Sequence, residues 1–128
     1  ENPKQLDVSI VSFGFKRGLP LHADLVFDMR FLPNPNYIPH LKSKTGLDQE
    51  IVDYMMGFRE TIEIIHKVQD MLEYLLPRFA REGKSYCTVA IGCTGGKHRS
   101  VMVARQLAAA LEDEGFEINL VHRDLHLE

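Results

Sequence analysis

Residues 92–100 read Gly92-Cys93-Thr94-Gly95-Gly96-Lys97-His98-Arg99-Ser100, a run of small residues leading into Lys, His and Arg. Upstream lies an apolar stretch of strand character, Tyr86–Ile91; downstream, Val101, Val103, Ala104, Leu107, Ala108 and Leu111 repeat at helical spacing. A small-residue turn between strand and helix aims free backbone N–H groups and the helix dipole at one point, which favours an anion there. Lys97, His98 and Arg99 bring side-chain donors to the same place, and a guanidinium grips phosphate through two parallel hydrogen bonds. The loop is therefore expected to bind phosphate, with Thr94 offering a hydroxyl beside the loop amides.

The same residues fit a rival chemistry. Cys93-x-x-Gly96-x-x-Arg99-Ser100 matches the phosphate loop of cysteine-dependent phosphatases. A cysteine at a helix N-terminus beside Arg and His is a candidate thiolate nucleophile, with Arg99 on the phosphoryl oxygens and Asp28 as general acid. The match is incomplete, because Gly92 stands where those enzymes carry His, and Cys93 also reads as a small buried residue at a strand end. The expectation is that Cys93 is not a catalytic nucleophile. A Walker A loop is excluded: Gly92-x-x-x-Gly96-Lys97 is one residue short, and His98 replaces the Ser or Thr that would hold Mg²⁺.

Asp24, Asp28 and Arg30 close a second strand expected beside the loop, where ligands of α/β sheets gather. Asp28 and Arg30 can meet a sugar and its phosphate, or simply form a surface ion pair. His22, His40, His66 and His126 are scattered, and the spacing of His122 and His126 gives no shared helical face, so no metal site is expected. The charges Glu60, Glu63, Lys67, Asp70 and Glu73 read as a solvated helix face.

The elements that must position the loop follow from pattern and breakers. Leu6–Phe15 alternates as a first strand, and Gly14 and Gly18-Leu19-Pro20 end it. Ala23–Phe31 reads as the second strand. Pro33, Pro35 and Pro39 impose a stiff loop to about Thr45, and Asp48 is placed to cap a short helix through about Met55. A longer helix runs from about Arg59 to Ala80, with Pro77 near its end expected to kink or terminate it and Gly83 stopping it. The strand Tyr86–Ile91, the loop, a helix over about Ser100–Glu114 and a strand Glu117–His122 complete the order. This predicts an α/β domain in two or three layers, with a mostly parallel sheet flanked by helices.

The 128 residues, 45% hydrophobic, suit one domain over residues 1–126. Glu1-Asn2-Pro3 resembles an internal excision point, and Leu127-Glu128 a tag remnant. With 15 Lys and Arg against 18 Asp and Glu, the formal net charge is −3, which argues against a dedicated nucleic-acid binder. Lys97 and Arg99, together with His122 and Arg123, form the only candidate RNA patch. Two cysteines without a framework point to a reducing cytoplasm, and no apolar run reaches membrane-spanning length.

Several stretches taken together are more specific. Val11-Ser12-Phe13-Gly14-Phe15-Lys16 precedes Asp24–Pro35, then Thr45-Gly46-Leu47-Asp48, Gly83-Lys84-Ser85-Tyr86, Ala90–Ser100 and His122-Arg123-Asp124. In this order and spacing nearly the whole chain resembles the C-terminal domain of the RapZ/YvcJ family of nucleotide-binding and RNase-adapter proteins. The resemblance implies a kinase-like N-terminal domain binding ATP or GTP, outside this sequence, and no cofactor in the present domain. It further implies a cytoplasmic homo-oligomer. Its partners would be small regulatory RNA and an endoribonuclease or other regulatory protein, and the C-terminal domain would sense glucosamine-6-phosphate. Carried over by motif, the phosphosugar site is Thr94, Gly95, Gly96, Lys97, His98 and Arg99, with Asp28 and Arg30 nearby. Asn36 stands where related sequences often have His. The Lys/Arg-rich tail of the enterobacterial form is missing, which places RNA binding by this domain in doubt. The resulting expectation is a regulatory, non-enzymatic phosphometabolite-binding module, set against a cysteine phosphatase and a purely structural oligomerisation domain.

Overall fold

The computed structural model describes residues 6–127, so Glu1–Pro3 and Glu128 lie outside the described residues. Four parallel strands, β1 (Asp7–Gly14), β2 (Leu25–Asp28), β3 (Tyr86–Cys93) and β4 (Ile118–His122), form one sheet in the order β2-β3-β1-β4. Helices α1 (Gln49–Met56) and α2 (Arg59–Arg81) join β2 to β3, and α3 (Arg99–Asp113) joins β3 to β4. The α/β class and the parallel sheet are as the sequence pattern predicts.

Alternation along the central strands decides what the sheet buries. Val8 and Ile10 of β1 and Cys87, Val89 and Ile91 of β3 enter a core shared with Met102, Leu107 and Leu111 of α3 and with Val68, Leu72 and Leu76 of α2. Helix α3 lies on β1, β3 and β4, and α2 packs against α3. The steps β2 to β3 and β3 to β4 run in the same direction across the sheet, so right-handed crossovers place all three helices on one face. The step from β1 to β2 runs the other way, and residues 15–24 accordingly pass over the opposite face. Phe15 begins that passage with its ring edge-on to Phe13, centroids 4.8 Å apart.

Several boundaries differ from expectation for identifiable reasons. The second strand is four residues rather than nine, because β2 is an edge strand paired only with β3. After Asp28 the chain turns inward: the Met29 N–H still reaches the Gly92 carbonyl at 2.7 Å, and Met29 and Leu32 enter the core. β3 is longer than Tyr86–Ile91, since Gly92 and Cys93 continue the ladder opposite Phe13 and Gly14. Pro77 ends nothing. Helix α2 runs through it to Arg81, carried by the buried stripe Ile65, Val68, Leu72 and Leu76. Asp48 occupies the N-cap position of α1 without capping its amides; its carboxylate instead accepts the Thr45 N–H at 2.8 Å.

Leu72 is fully buried between α2 and the layer beneath it. Leu72→Ala is expected to lower unfolding free energy by about 2–5 kcal/mol, the range for a truncated core leucine, read from urea denaturation at pH 7.5.

Candidate functional site

The C-terminal ends of β1 and β3 lie side by side, Gly14 opposite Cys93, and a cavity of about 270 Å³ opens above them. Cys93, Thr94, Gly95, Lys97, His98 and Arg99 line it from one loop; Lys16 joins from beyond β1, Asn34 and Asn36 from beyond β2, and Leu127 from the end of the chain. Strand ends of parallel sheets gather ligands because the following turns and helix N-termini converge there. The first turn of α3 carries no acidic residue, so the positive end of its dipole meets no carboxylate of its own.

Arg99 is the central tie. Only 4% exposed, it donates from Nη1 to the carbonyls of Arg30 (2.7 Å) and Leu32 (3.0 Å), and from Nη2 to Thr94 Oγ1 at 3.3 Å. A guanidinium has five N–H donors. Two of them, on Nε and Nη2, have no partner among the described residues and remain for an anion. Lys97 Nζ donates to the Lys42 carbonyl at 3.0 Å, and the Gly46 N–H reaches the Lys97 carbonyl at 2.9 Å, fastening the loop after residue 40 to the phosphate loop. Lys16 is held alongside through its N–H to the Thr94 carbonyl at 3.2 Å. Asn34 Oδ1 accepts the Asn36 N–H at 3.0 Å and shapes the 3-10 turn Pro35–Tyr37.

Close backbone approach sets the loop's shape. A Cβ on Gly14 would lie 2.5 Å from the Gly95 carbonyl carbon, and one on Gly96 would lie 2.7 Å from the Gly14 nitrogen. Asp124, 2% exposed, locks this contact from the far side, accepting the Gly14 N–H at 2.8 Å and two bonds from Arg123. Burial would raise the Asp124 carboxyl, but Arg123 and the Gly14 amide outweigh it and hold the group below the ordinary aspartate value.

The other candidates are distributed as follows. Gly96 forms the turn without lining the cavity. Asp28 and Arg30 pair with each other at 2.6 Å on the surface, and Arg30 lies over the Phe15 ring, 3.9 Å from its centroid. Arg30 reaches the site only through its backbone carbonyl. His122 ends β4 and Arg123 follows it; His122 Nδ1 shares a 2.7 Å hydrogen bond with the buried Ser12 hydroxyl, and Arg123 Nη2 donates to the Gly18 carbonyl. Leu127, set apart on sequence, forms part of the cavity wall. Lys16 and Asn34 were missed, although Lys16 follows a strand end, where a basic side chain signals a ligand in this architecture. Cys93 is buried and donates its thiol to Ser100 Oγ at 3.1 Å. A side chain at Gly92 would strike the Phe13 and Phe15 rings at 2.5 and 2.6 Å, so this loop has no room for the phosphatase His. Among the described residues no group of three or more His, Cys, Asp or Glu could hold a metal, and no helix is long and apolar enough to cross a membrane.

Two histidines give the region a pH response. Burial pushes the buried His98 imidazole down, aided by Lys97, against a smaller opposing pull from the Lys44 and Lys42 backbone. Burial lowers His122 as well, with Arg105 adding to it. Both folded values lie below the ordinary histidine value, so stability is complete above about pH 6.5 and is lost as pH falls toward them. The urea midpoint should fall between pH 7.5 and 5.5, with the fall reduced in a His98→Gln, His122→Gln double variant. Asp124, lowered instead from the aspartate value, contributes fully at neutral pH and loses its contribution only in acid; Asp124→Asn should cost about 1.5–3 kcal/mol at pH 7, the range for hydrogen bonds to a charged group.

Comparison with known proteins accords with this architecture. Residues 6–126 match the RapZ C-terminal domain. A nucleotide-binding protein of Clostridium kluyveri is 54% identical over 121 residues, covering 94% of this chain and 41% of its own length. One from Finegoldia magna is 53% identical over 120 residues, with 94% and 42% covered, and one from Thermobifida fusca 51% over 121 residues, with 94% and 41% covered. The chain thus spans about two-fifths of the length of these relatives. With the family matched across nearly every described residue, the chain belongs to the RapZ C-terminal domain family.

Proposed function

We propose that this domain is a regulatory binding module whose Thr94–Arg99 loop holds the phosphate of a phosphorylated aminosugar of the glucosamine-6-phosphate type. The observation that carries the reading is Arg99: a buried guanidinium, fixed on three sides, with two N–H groups unpartnered at a cavity also lined by Lys16 and Lys97. Fixed donors suit anion recognition, because little freedom is lost on binding. The cavity, about 270 Å³, is of a size to admit a small phosphorylated metabolite. Asn34 and Asn36 supply neutral donors and acceptors for sugar hydroxyls.

Binding is preferred to phosphatase chemistry because Cys93 is buried and bonded to Ser100, and Gly92 admits no His. Nucleotide binding, named for the full-length relatives, is assigned here to the part of the longer chain outside this domain. A regulatory RNA, an endoribonuclease or another regulatory protein, and further copies of the chain are assigned as partners of that longer, cytoplasmic protein. RNA contact by this domain rests on assembly, since Lys97, Arg99, His122 and Arg123 are all hydrogen-bonded within the domain.

Calorimetry should show binding of glucosamine-6-phosphate and weaker binding of inorganic phosphate, with none of glucosamine. Lys16→Met should weaken the sugar phosphate by about 1.5–3 kcal/mol, as for loss of a charge-assisted bond. Unchanged affinity in Lys16→Met, or equal binding of unphosphorylated sugar, overturns the assignment. Turnover of a chromogenic phosphate ester that disappears in Cys93→Ser would establish the phosphatase instead. RNA binding by the isolated domain should be weak at low salt and fall steeply toward physiological salt, as counterion release requires.

A further inference from the structure

Purely parallel sheets are almost always covered on both faces, because right-handed connections lay helices on each. Here every helix lies on one face. The other carries the register row Val26–Ala90–Val11–Val121 across all four strands, with Thr88 and Ser9 in the row below and Tyr86 beside Asp7 at its foot. The strip of residues 15–24 crossing this face is thin, mixes Leu19, Pro20 and Leu21 with Lys16, Arg17, His22 and Asp24, and leaves the edges of the row open while Ala90 at its middle is buried. Val26 is 42% exposed, Val121 47%, Tyr86 70% and, on the strip, Leu21 93%.

We propose that this face seats the segment that precedes the domain in the longer chains of its family. Size and attachment decide the occupant. Four strands about 4.8 Å apart, over some six residues at 3.3 Å each, give a face of roughly 400 Å². Paired with a free second copy it would bury about 800 Å² in total, the level of crystal-packing contacts and below a stable specific interface. A tethered domain needs less, because inter-domain interfaces begin near 600 Å² and the tether supplies a high effective concentration. The family match is to a C-terminal domain, and this chain covers only 41% of its Clostridium kluyveri relative. A large preceding segment therefore joins at β1. The strand enters the sheet with Asp7 opposite Tyr86, at the foot of the exposed face and at the end away from the cavity. A segment joined there lies within reach of this face.

The full-length protein tests the assignment. Val26→Cys and Val121→Cys should react with a maleimide at least about tenfold more slowly than Met71→Cys on the exposed side of α2. These variants change little volume and keep the strands intact. Separately, Val26→Lys with Val121→Lys should increase the radius of gyration in solution scattering and speed protease cleavage ahead of residue 6, while phosphosugar affinity stays unchanged. Equal maleimide rates at all three positions would overturn the proposal. So would slow labelling that becomes fast on dilution together with a halving of mass, which would assign the face to a second copy.

Discussion

The guanidinium of Arg99 is the contact on which the site depends. It is the first residue of α3, yet it reaches back to the carbonyls that follow β2 and forward to the hydroxyl of Thr94. One side chain thereby joins the helix, the edge strand and the phosphate loop. A buried charge is costly unless hydrogen bonds satisfy it. Three bonds are made inside the protein, and the two donors without a partner among the described residues lie at the cavity, so the proposed anion would complete the satisfaction of this charge.

Around that tie the loop is held by backbone rather than by side-chain bulk. The Gly14–Gly96 approach brings two strand-end turns closer than any Cβ would allow, and Asp124 fastens it from the opposite side. The same sheet end also shapes the surroundings of the phosphatase-like motif. The Phe13 and Phe15 rings occupy the space above Gly92, and Ser100 takes the thiol hydrogen of Cys93.

What could be read from the sequence was what local pattern encodes. The β3–loop–α3 unit was legible because a run of apolar residues, small turn residues and a helical repeat follow one another without interruption. The glycine stop at Gly83 was legible for the same reason. β2 was not, since Ala23–Phe31 looks like a long strand until its edge position leaves only four residues a partner. Lys16 and Asn34 were missed because they come to the cavity from loops far from residue 93 in sequence. Asp124 was quoted only within a motif; its clamp on Gly14 spans 110 positions and has no local signature.

That long-range clamp has a consequence during synthesis. Everything that defines the Gly92–Ser100 loop in sequence has been synthesised once residue 100 is made, yet the contact that sets the loop's shape waits for residue 124 and, before it, for β4 to add to the sheet beside β1. A nascent chain can therefore display the motif without the recognition geometry. The cavity therefore takes its final shape only when Asp124 reaches Gly14. A product truncated just after β4 would carry an intact signature and an unformed site.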